Sequence, residues 1–372
     1  MLDAAKVYKE LELVMPRVFS VAYQERELAR ELWYALNSDP LLLNKVLSDE
    51  SAYRLPHWSG KLDQTSLVKP YGGSYQVVSV DGSQIYPDRH QGFPCFLLNM
   101  GCVTLRYGMS GSSIILNTIP RLFLQEPQEP GDGGIDMSQD GVNCRRTEQE
   151  LAHGYYVSKE AVNNVRDIPT VFLCDGSLIF WHLEQKDPAA KRYFLDKYLE
   201  SFEAFYQARI PIAGYISMPK SRELVYLLKV AATYSHPGSN LTYVVDRDIC
   251  SLFLEPFYIS TVFKNSSSIS TLYPSHLAPY AVYCCLPEEI ARIEFPAWVV
   301  ELGYLPQLLE IIVDQCLKGR GYPVALAEAH EQAVVKGVDR ATFYQLLSQI
   351  SRGHSQQFAM SNKSLKKKTI GI

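Results

Sequence analysis

Two tripeptides carry most of the chemistry open to this chain, Asp81-Gly82-Ser83 and Asp175-Gly176-Ser177. Each aspartate follows an apolar run: Tyr75-Gln-Val-Val-Ser-Val80 in the first case, Thr170-Val-Phe-Leu-Cys174 in the second. Runs of this composition read as β-strands, so each carboxylate stands where a strand ends. A strand holds the acid rigidly while its oxygens reach the open edge of the sheet. The following glycine permits a tight turn and leaves room for a phosphate or a metal. Asp-Gly-Ser alone is also a common turn tripeptide. Two copies, each closing a candidate core strand, point instead to convergent carboxylates. Such a pair is costly without a cation, and a divalent ion relieves the repulsion.

Further acids and bases lie where they could complete the site. Glu150 falls in a helical stretch between the two strands, four residues after Arg146 and beside Leu151. Glu148 competes with it, although the two point about 200° apart around a helix. Asp314, in Ile311-Ile-Val-Asp-Gln315, could complete a two-metal site. His330, in Leu326-Ala-Glu-Ala-His330, could organise water or shuttle protons near neutral pH. Lys220 and Arg222 suit phosphate contacts or a solvated helix start. Arg292 suits substrate binding or a structural ion pair with Glu294. Of Asp246 and Asp248, one is expected to cap a helix opening at Ile249.

The implied reaction is phosphodiester hydrolysis by two divalent ions roughly 4 Å apart. Oxygen ligands favour Mg²⁺ or Mn²⁺ over zinc, and an added histidine is compatible with Mn²⁺. The sequence holds no Walker A motif, GxGxxG fingerprint or Ser-His-Asp signature, so neither ATP hydrolysis nor nicotinamide chemistry is supported.

The elements that must position these residues follow from the hydrophobic period. Residues 3–37 read as helix, with Asp3 as cap and Pro16 as a break or kink. Residues 37–73 are loop-rich. Strands are expected at 75–80, 93–107 and 112–119, with a hairpin turn at 108–111. An exposed excursion follows at 125–141, then a helix at 145–165 with Leu151, Tyr155, Val162 and Val165 on its apolar face. The run 170–174 is apolar enough for a central strand covered on both faces. Helices at 191–209 and 221–233 alternate with strands at 210–217, 280–286 and 291–295. Residues 265–270 read as a mobile polar loop, and closing helices as 304–318, 323–336 and 339–350. The order predicts an α/β fold with a ribonuclease-H-like core, by fold-level analogy. Its mixed sheet has three antiparallel strands first, helices on both faces, and helical extensions at both ends. The expected boundaries are an N-terminal extension at 1–73, a nuclease domain at 74–352 and a basic tail at 353–372.

Composition narrows the reading. The 372 residues carry a formal net charge of −4 and a pI near 6.1. That argues against binding long duplexes chiefly through phosphates, and leaves a short strand in a local groove open. The eight cysteines form no CxxC pair and sit within apolar runs, as reduced buried thiols do. Neither a signal-peptide core nor an apolar run of about 20 residues is present, so a cytoplasmic protein without membrane contact is expected.

Seven blocks in order resemble the NurA family. They are Val80-Asp-Gly-Ser83, Arg146 to Leu151, Leu173-Cys-Asp-Gly-Ser-Leu178, and Ala213-Gly-Tyr-Ile216 leading to Lys220-Ser221. Val245-Asp-Arg-Asp248, Arg292-Ile-Glu-Phe-Pro296 and Gly321-Tyr-Pro-Val-Ala-Leu-Ala-Glu-Ala-His330 follow. The resemblance implies a Mn²⁺-dependent, usually dimeric nuclease that works with the hexameric HerA ATPase in DNA end resection. It implies single-strand endonuclease and 5′-to-3′ exonuclease activity, with Asp81, Glu150, Asp175 and His330 as site residues and Asp314 as a further metal ligand. A non-catalytic scaffold on a HerA-like ring, or a ribonuclease or structure-specific nuclease of the same fold, are the alternatives.

Overall fold

The computed structural model describes residues 2–50, 53–87, 95–108, 111–124 and 136–353. Most of the expected excursion at 125–141, the centre of the 108–111 turn and the basic tail beyond Gly353 lie outside the described residues. The helices are α1 (Ala4–Ser38), α2 (Pro40–Leu47), α3 (Gln139–Asn164), α4 (Pro188–Ala208), α5 (Glu223–Ser235), α6 (Asp246–Cys250), α7 (Ala297–Glu301), α8 (Leu305–Lys318), α9 (Val324–Ala333) and α10 (Gly337–Gly353). The strands are β1 (Thr65–Leu67), β2 (Tyr75–Ile85), β3 (Cys95–Tyr107), β4 (Ser113–Leu124), β5 (Thr170–Asp175), β6 (Ile212–Ile216), β7 (Tyr258–Ser260), β8 (Phe263–Lys264), β9 (Pro279–Cys285) and β10 (Ile290–Pro296). They divide between two compact units. Unit one holds the residues up to Tyr71, Gly176–Trp181 and Ala213–Tyr322; unit two holds Gly72–Asp175, His182–Ile212 and the described residues from Pro323 onward.

In unit two, β2 lies between β3, to which it is antiparallel, and β5, to which it is parallel; β4 pairs on the far side of β3. These are the three antiparallel strands and the later parallel strand that the sequence order predicts. Val171, Phe172 and Leu173 of β5 are buried, as a central parallel strand requires. One expectation fails here. β2 does not end at Asp81, because the ladder to β3 continues from Asp81↔Gly101 to Ile85↔Leu97. Partners for residues 81–85 exist on β3, and a paired backbone is favoured over a turn.

Helix α3 opens earlier than expected, at Gln139, where the Ser138 hydroxyl accepts from Gly141 N at 3.0 Å. Of its expected apolar face Leu151 is buried and Tyr155, Val162 and Val165 are half-buried, while the small residues Gly154, Ser158 and Ala161 are buried as well. A Cβ on Gly154 would stand 2.2 Å from Phe172 Cζ, so the helix rests directly on β5. Helix α9 uses the same device against β3, since a Cβ on Gly101 would meet Ala333 N at 2.4 Å. A Cβ on Gly82 would point at α3, against Arg146 and Glu150. Gly82 and Asp81 face opposite sides of the sheet, and Gly101 stands across from Asp81, so α3 and α9 cover opposite faces.

Unit one is antiparallel throughout its main sheet, in the order β1-β7-β9-β10-β6, with β8 paired to β9. Helix α1 continues through Pro16 without ending there, and Asp3 caps it as expected. Its second half is built into the core: Ala29, Leu32, Trp33 and Leu36 join Leu224, Leu228, Leu241 and Phe263 in one cluster. The stretch expected to be loop contains α2, whose start signal is Asp39 accepting from Leu41 N and Leu42 N, followed by Pro40 in the first turn. The polar run 265–270 is no exposed loop either. Asn265 and Ser270 are each 6% exposed, and Asn265 Oδ1 accepts from Ser267 N. Among the described residues the cysteines are free thiols, and no helix is long and apolar enough to cross a membrane.

Candidate active site

The register of unit two sets the first two acids. Pairing of β2 with β5 runs from Gln76↔Thr170 to Ser79↔Leu173 and then stops. The same offset carries Asp81 level with Asp175, just past the last paired residues. Asp175 is the exposed end of β5, while Asp81 lies within β2 with its side chain 21% exposed. The two aspartates thus share one edge for different local reasons.

Two helices bring the other groups. On α3, Glu150 is also 21% exposed, with Oε1 3.3 Å from Arg146 Nε. Burial pushes its carboxyl up to about 7, and the nearby charges of Asp81 and Asp175 push in the same direction. Arg146 and the backbone N–H of Gly82 oppose the rise without cancelling it. The glycine at 82 makes this approach possible, since a Cβ there would lie 2.8 Å from Glu150 Oε1 and 2.7 Å from Arg146 Cγ. On α9, His330 donates from Nδ1 to Asp81 Oδ2 at 2.9 Å. The C-terminal end of α9 is fixed above the sheet, where Ser83 Oγ and Asn99 Nδ2 both donate to the Ala333 carbonyl.

The structure therefore places Asp81, Glu150, Asp175 and His330 in unit two, with His330 bonded to Asp81 and Glu150 near enough to Asp81 and Asp175 to feel both charges. Glu148 is engaged elsewhere, accepting from Arg145 Nη1 at 2.7 Å. Asp314 is a residue of the other unit. It belongs to α8, is 8% exposed, and pairs with Lys318 one turn later. The apolar helix around Asp314 forced it inward, and a lysine at i+4 supplied the charge it needed. Arg292 is corrected as well. It is 2% exposed and spends its guanidinium on Glu294, Glu223 and the Tyr283 hydroxyl, so the ion-pair reading holds. Arg222 donates to the Leu241 carbonyl, while Lys220 is exposed. Both aspartates of the 246–248 pair act as caps. Asp248 accepts from Val245 N at the start of α6, and Asp246 accepts from Glu223 N and Val225 N at the start of α5. Sequence reasoning missed Gly82, Gly101, Ser83 and Asn99 as the residues that seat the helices. A glycine inside a strand run, which marks close approach, was the signal that could have found them.

The donor set suits a hard divalent cation: three carboxylates and one imidazole, with one carboxyl pushed up partly by the other two. Among the described residues no three His, Cys, Asp or Glu side chains stand close enough together to hold a metal ion as they are placed here. Glu150 leans on Arg146 and Asp81 on His330.

The profile of the NurA domain matches residues 75–335, more than two thirds of the chain. The chain belongs to the NurA family. Among solved structures it is similar to a NurA crystal structure at 10% identity and a TM-score of 0.45, covering 91% of this chain and 97% of that one. A NurA structure with manganese gives 12% identity and 0.44, over 90% of this chain and 98% of that one. A third, NurA bound to dAMP and manganese, gives 12% and 0.40, over 87% and 94%. No curated protein sequence matches the chain.

Proposed function

We propose that this chain is a divalent-metal-dependent nuclease that hydrolyses DNA phosphodiesters, on a core of the ribonuclease-H type. The observation that carries this reading is that Asp81 and Asp175 lie level on adjacent strands of a NurA-family chain, with Glu150 near enough to feel the charge of both. Bound Mn²⁺ or Mg²⁺, two ions in this reading, would supply the charge that acidifies water and stabilises the leaving oxygen.

The protein's own part is positioning and charge. Asp81 and Asp175 are carried by β2 and β5, so their register is set by the hydrogen-bonded ladder that ends two residues before them. Glu150 sits on an edge crowded with negative charge, which makes it costly to ionise alone and favourable to ionise against a cation. His330 uses Nδ1 to orient Asp81, leaving Nε2 to hold or pass a proton. A scaffold would have no use for an acid cluster of this kind.

The finer activity follows the family resemblance: single-strand endonuclease and 5′-to-3′ exonuclease action in end resection, as a cytoplasmic homodimer working with a HerA-type hexameric ATPase. Exposed Lys220 is a candidate phosphate contact. The test is degradation of 5′- and 3′-labelled single- and double-stranded DNA with Mn²⁺, Mg²⁺ or EDTA, with and without the ATPase, and with RNA as a control. Metal-dependent cleavage of DNA that disappears in Asp81→Ala is expected. Silence under every condition would move the reading to a scaffold, and cleavage by Asp81→Ala equal to wild type would displace the site.

A further inference from the structure

Among the described residues, Arg146 is the arginine drawn into the acid cluster, and several neighbours fix its position. It stands four residues before Glu150 on α3, with Nε 3.3 Å from Glu150 Oε1. That nitrogen is buried and makes no hydrogen bond, so the pair is held by charge more than by geometry. Nη1 donates to Gln84 Oε1 at 3.0 Å. Gln84 is itself fixed, since its Nε2 donates to the Tyr86 hydroxyl at 2.9 Å and Tyr86 donates to Asn143 Oδ1 at 2.8 Å. The stem of the arginine fills the space left by the missing side chain of Gly82. The side chain nevertheless remains 33% exposed.

A guanidinium carries five N–H donors in a planar fork, a geometry that matches phosphate oxygens. Gln84 takes one of Arg146's donors, and Glu150 takes charge without a well-formed bond. If Glu150 ligates a divalent ion, its negative charge is used by that ion. Arg146 then faces a cation a few ångströms away, an arrangement that is favourable only if an anion enters between them. A phosphodiester is such an anion.

We infer that Arg146 is the phosphate-binding cation of this site, balancing Glu150 before metal enters and contacting a non-bridging oxygen of the phosphodiester afterwards. The inference rests on the nuclease reading above and names the residue that recognises the substrate's charge there. Two other candidate arginines are poorly placed to hold a phosphate, because Arg292 is consumed by an ion-pair network and Arg222 by a carbonyl.

The experiment compares wild type, Arg146→Met and Arg146→Lys in three measurements. Anisotropy of a fluorescein-labelled single-stranded oligonucleotide in Ca²⁺ reads binding across a salt series. Calorimetry reads Mn²⁺ binding without DNA, and steady-state cleavage in Mn²⁺ separates KM from kcat. Arg146→Met should weaken DNA binding roughly tenfold, as loss of a charge-assisted bond does. It should also shallow the salt slope by about 0.7. Its Mn²⁺ affinity should be unchanged or tighter, because a competitor for Glu150 is gone. Arg146→Lys should regain the salt slope while KM stays raised, since a lysine keeps the charge and loses the fork. Altered Mn²⁺ affinity with DNA affinity and salt slope untouched would overturn the inference and leave Arg146 as a neutraliser of Glu150. If circular dichroism shows Arg146→Met unfolded, Arg146→Lys decides: a wild-type KM in the folded lysine variant overturns the proposal. A wild-type protein that binds Mn²⁺ but neither binds nor cuts DNA would instead sink the nuclease reading itself.

Discussion

Each unit of this protein holds a cluster of acids around one arginine, and the two clusters are finished in opposite ways. In unit one, Asp246 accepts from Glu223 N, Val225 N and the Tyr283 hydroxyl at 2.8, 3.0 and 2.7 Å. Glu294 accepts from Ser177 Oγ, Leu178 N and Arg292 Nε at 2.7, 2.8 and 2.7 Å. Arg292 and Glu294 are each 2% exposed. Burial pushes the Asp246 carboxyl up, but fixed donors within the fold oppose it. In unit two, Glu150 is one-fifth exposed, and its carboxyl remains pushed up to about 7 despite Arg146 and the Gly82 N–H. A cluster saturated with the protein's own donors has nothing left to bind and holds the fold together. A cluster short of positive charge and open to solvent invites a cation from outside.

The sharpest way to break this contrast is to neutralise one acid in each unit's cluster or the cation that serves it. Asp175→Asn should cut metal-dependent cleavage by about a thousandfold or more, because a ligand is lost, while leaving the urea unfolding midpoint near wild type. A large fall in stability would mean that Asp175 is structural and the two clusters are alike. In unit one the effect should fall on stability. Arg292→Met leaves buried carboxylates without their cation and should cost about 3–5 kcal/mol in urea denaturation. A folded Arg292→Met protein as stable as wild type would show that this network is not what it resembles.

Smaller changes sharpen the comparison. Gly82→Ala places a methyl group into Arg146 and Glu150 and should cost about 1–3 kcal/mol, with weaker Mn²⁺ binding by calorimetry. Unaltered metal affinity would show that Glu150 is not held by this contact. The mildest effect is that of pH. A proton on Glu150 competes with the metal, so Mn²⁺ affinity should rise by up to about tenfold per pH unit below 7 and level off above it. Glu150→Gln should flatten that profile; an unchanged profile in the glutamine variant would assign it to another group. In the metal-free protein the sign is reversed. Because the folded-state carboxyl is raised above its ordinary value of 4.5, its contribution to stability is full below that pH and is lost as pH rises through about 7. A urea midpoint that rises with pH over this window without metal would contradict the raised carboxyl.

The acids themselves were readable because chemistry restricts residue type: a carboxylate closing an apolar run has few reasons to be there. Asp175 behaved as that pattern predicts, at the exposed end of a buried strand. Asp81 did not, since its strand continues four residues beyond it. Its Gly-Ser successor serves helix packing: Gly82 gives way to α3 and Ser83 ties down α9. Asp314 shows the converse case. An acid on a helix is common, and only its lysine partner in space distinguishes it from a ligand.

By itself the sequence determined the order of strands and helices through unit two, the two Asp-Gly-Ser acids and the family to which the chain belongs. These depend on local period and residue type, which survive in one dimension. Tertiary structure alone decided that Arg146 stays partly exposed while Arg292 is buried and spent, because burial and partners are not properties of a residue's neighbours in sequence. It also decided that Gly82, Gly101 and Gly154 are seats for helices, since a missing Cβ means nothing until something occupies its place. The proposed site is thus written in the chain as a set of acids, and given its surroundings by the close approach of two helices to the sheet.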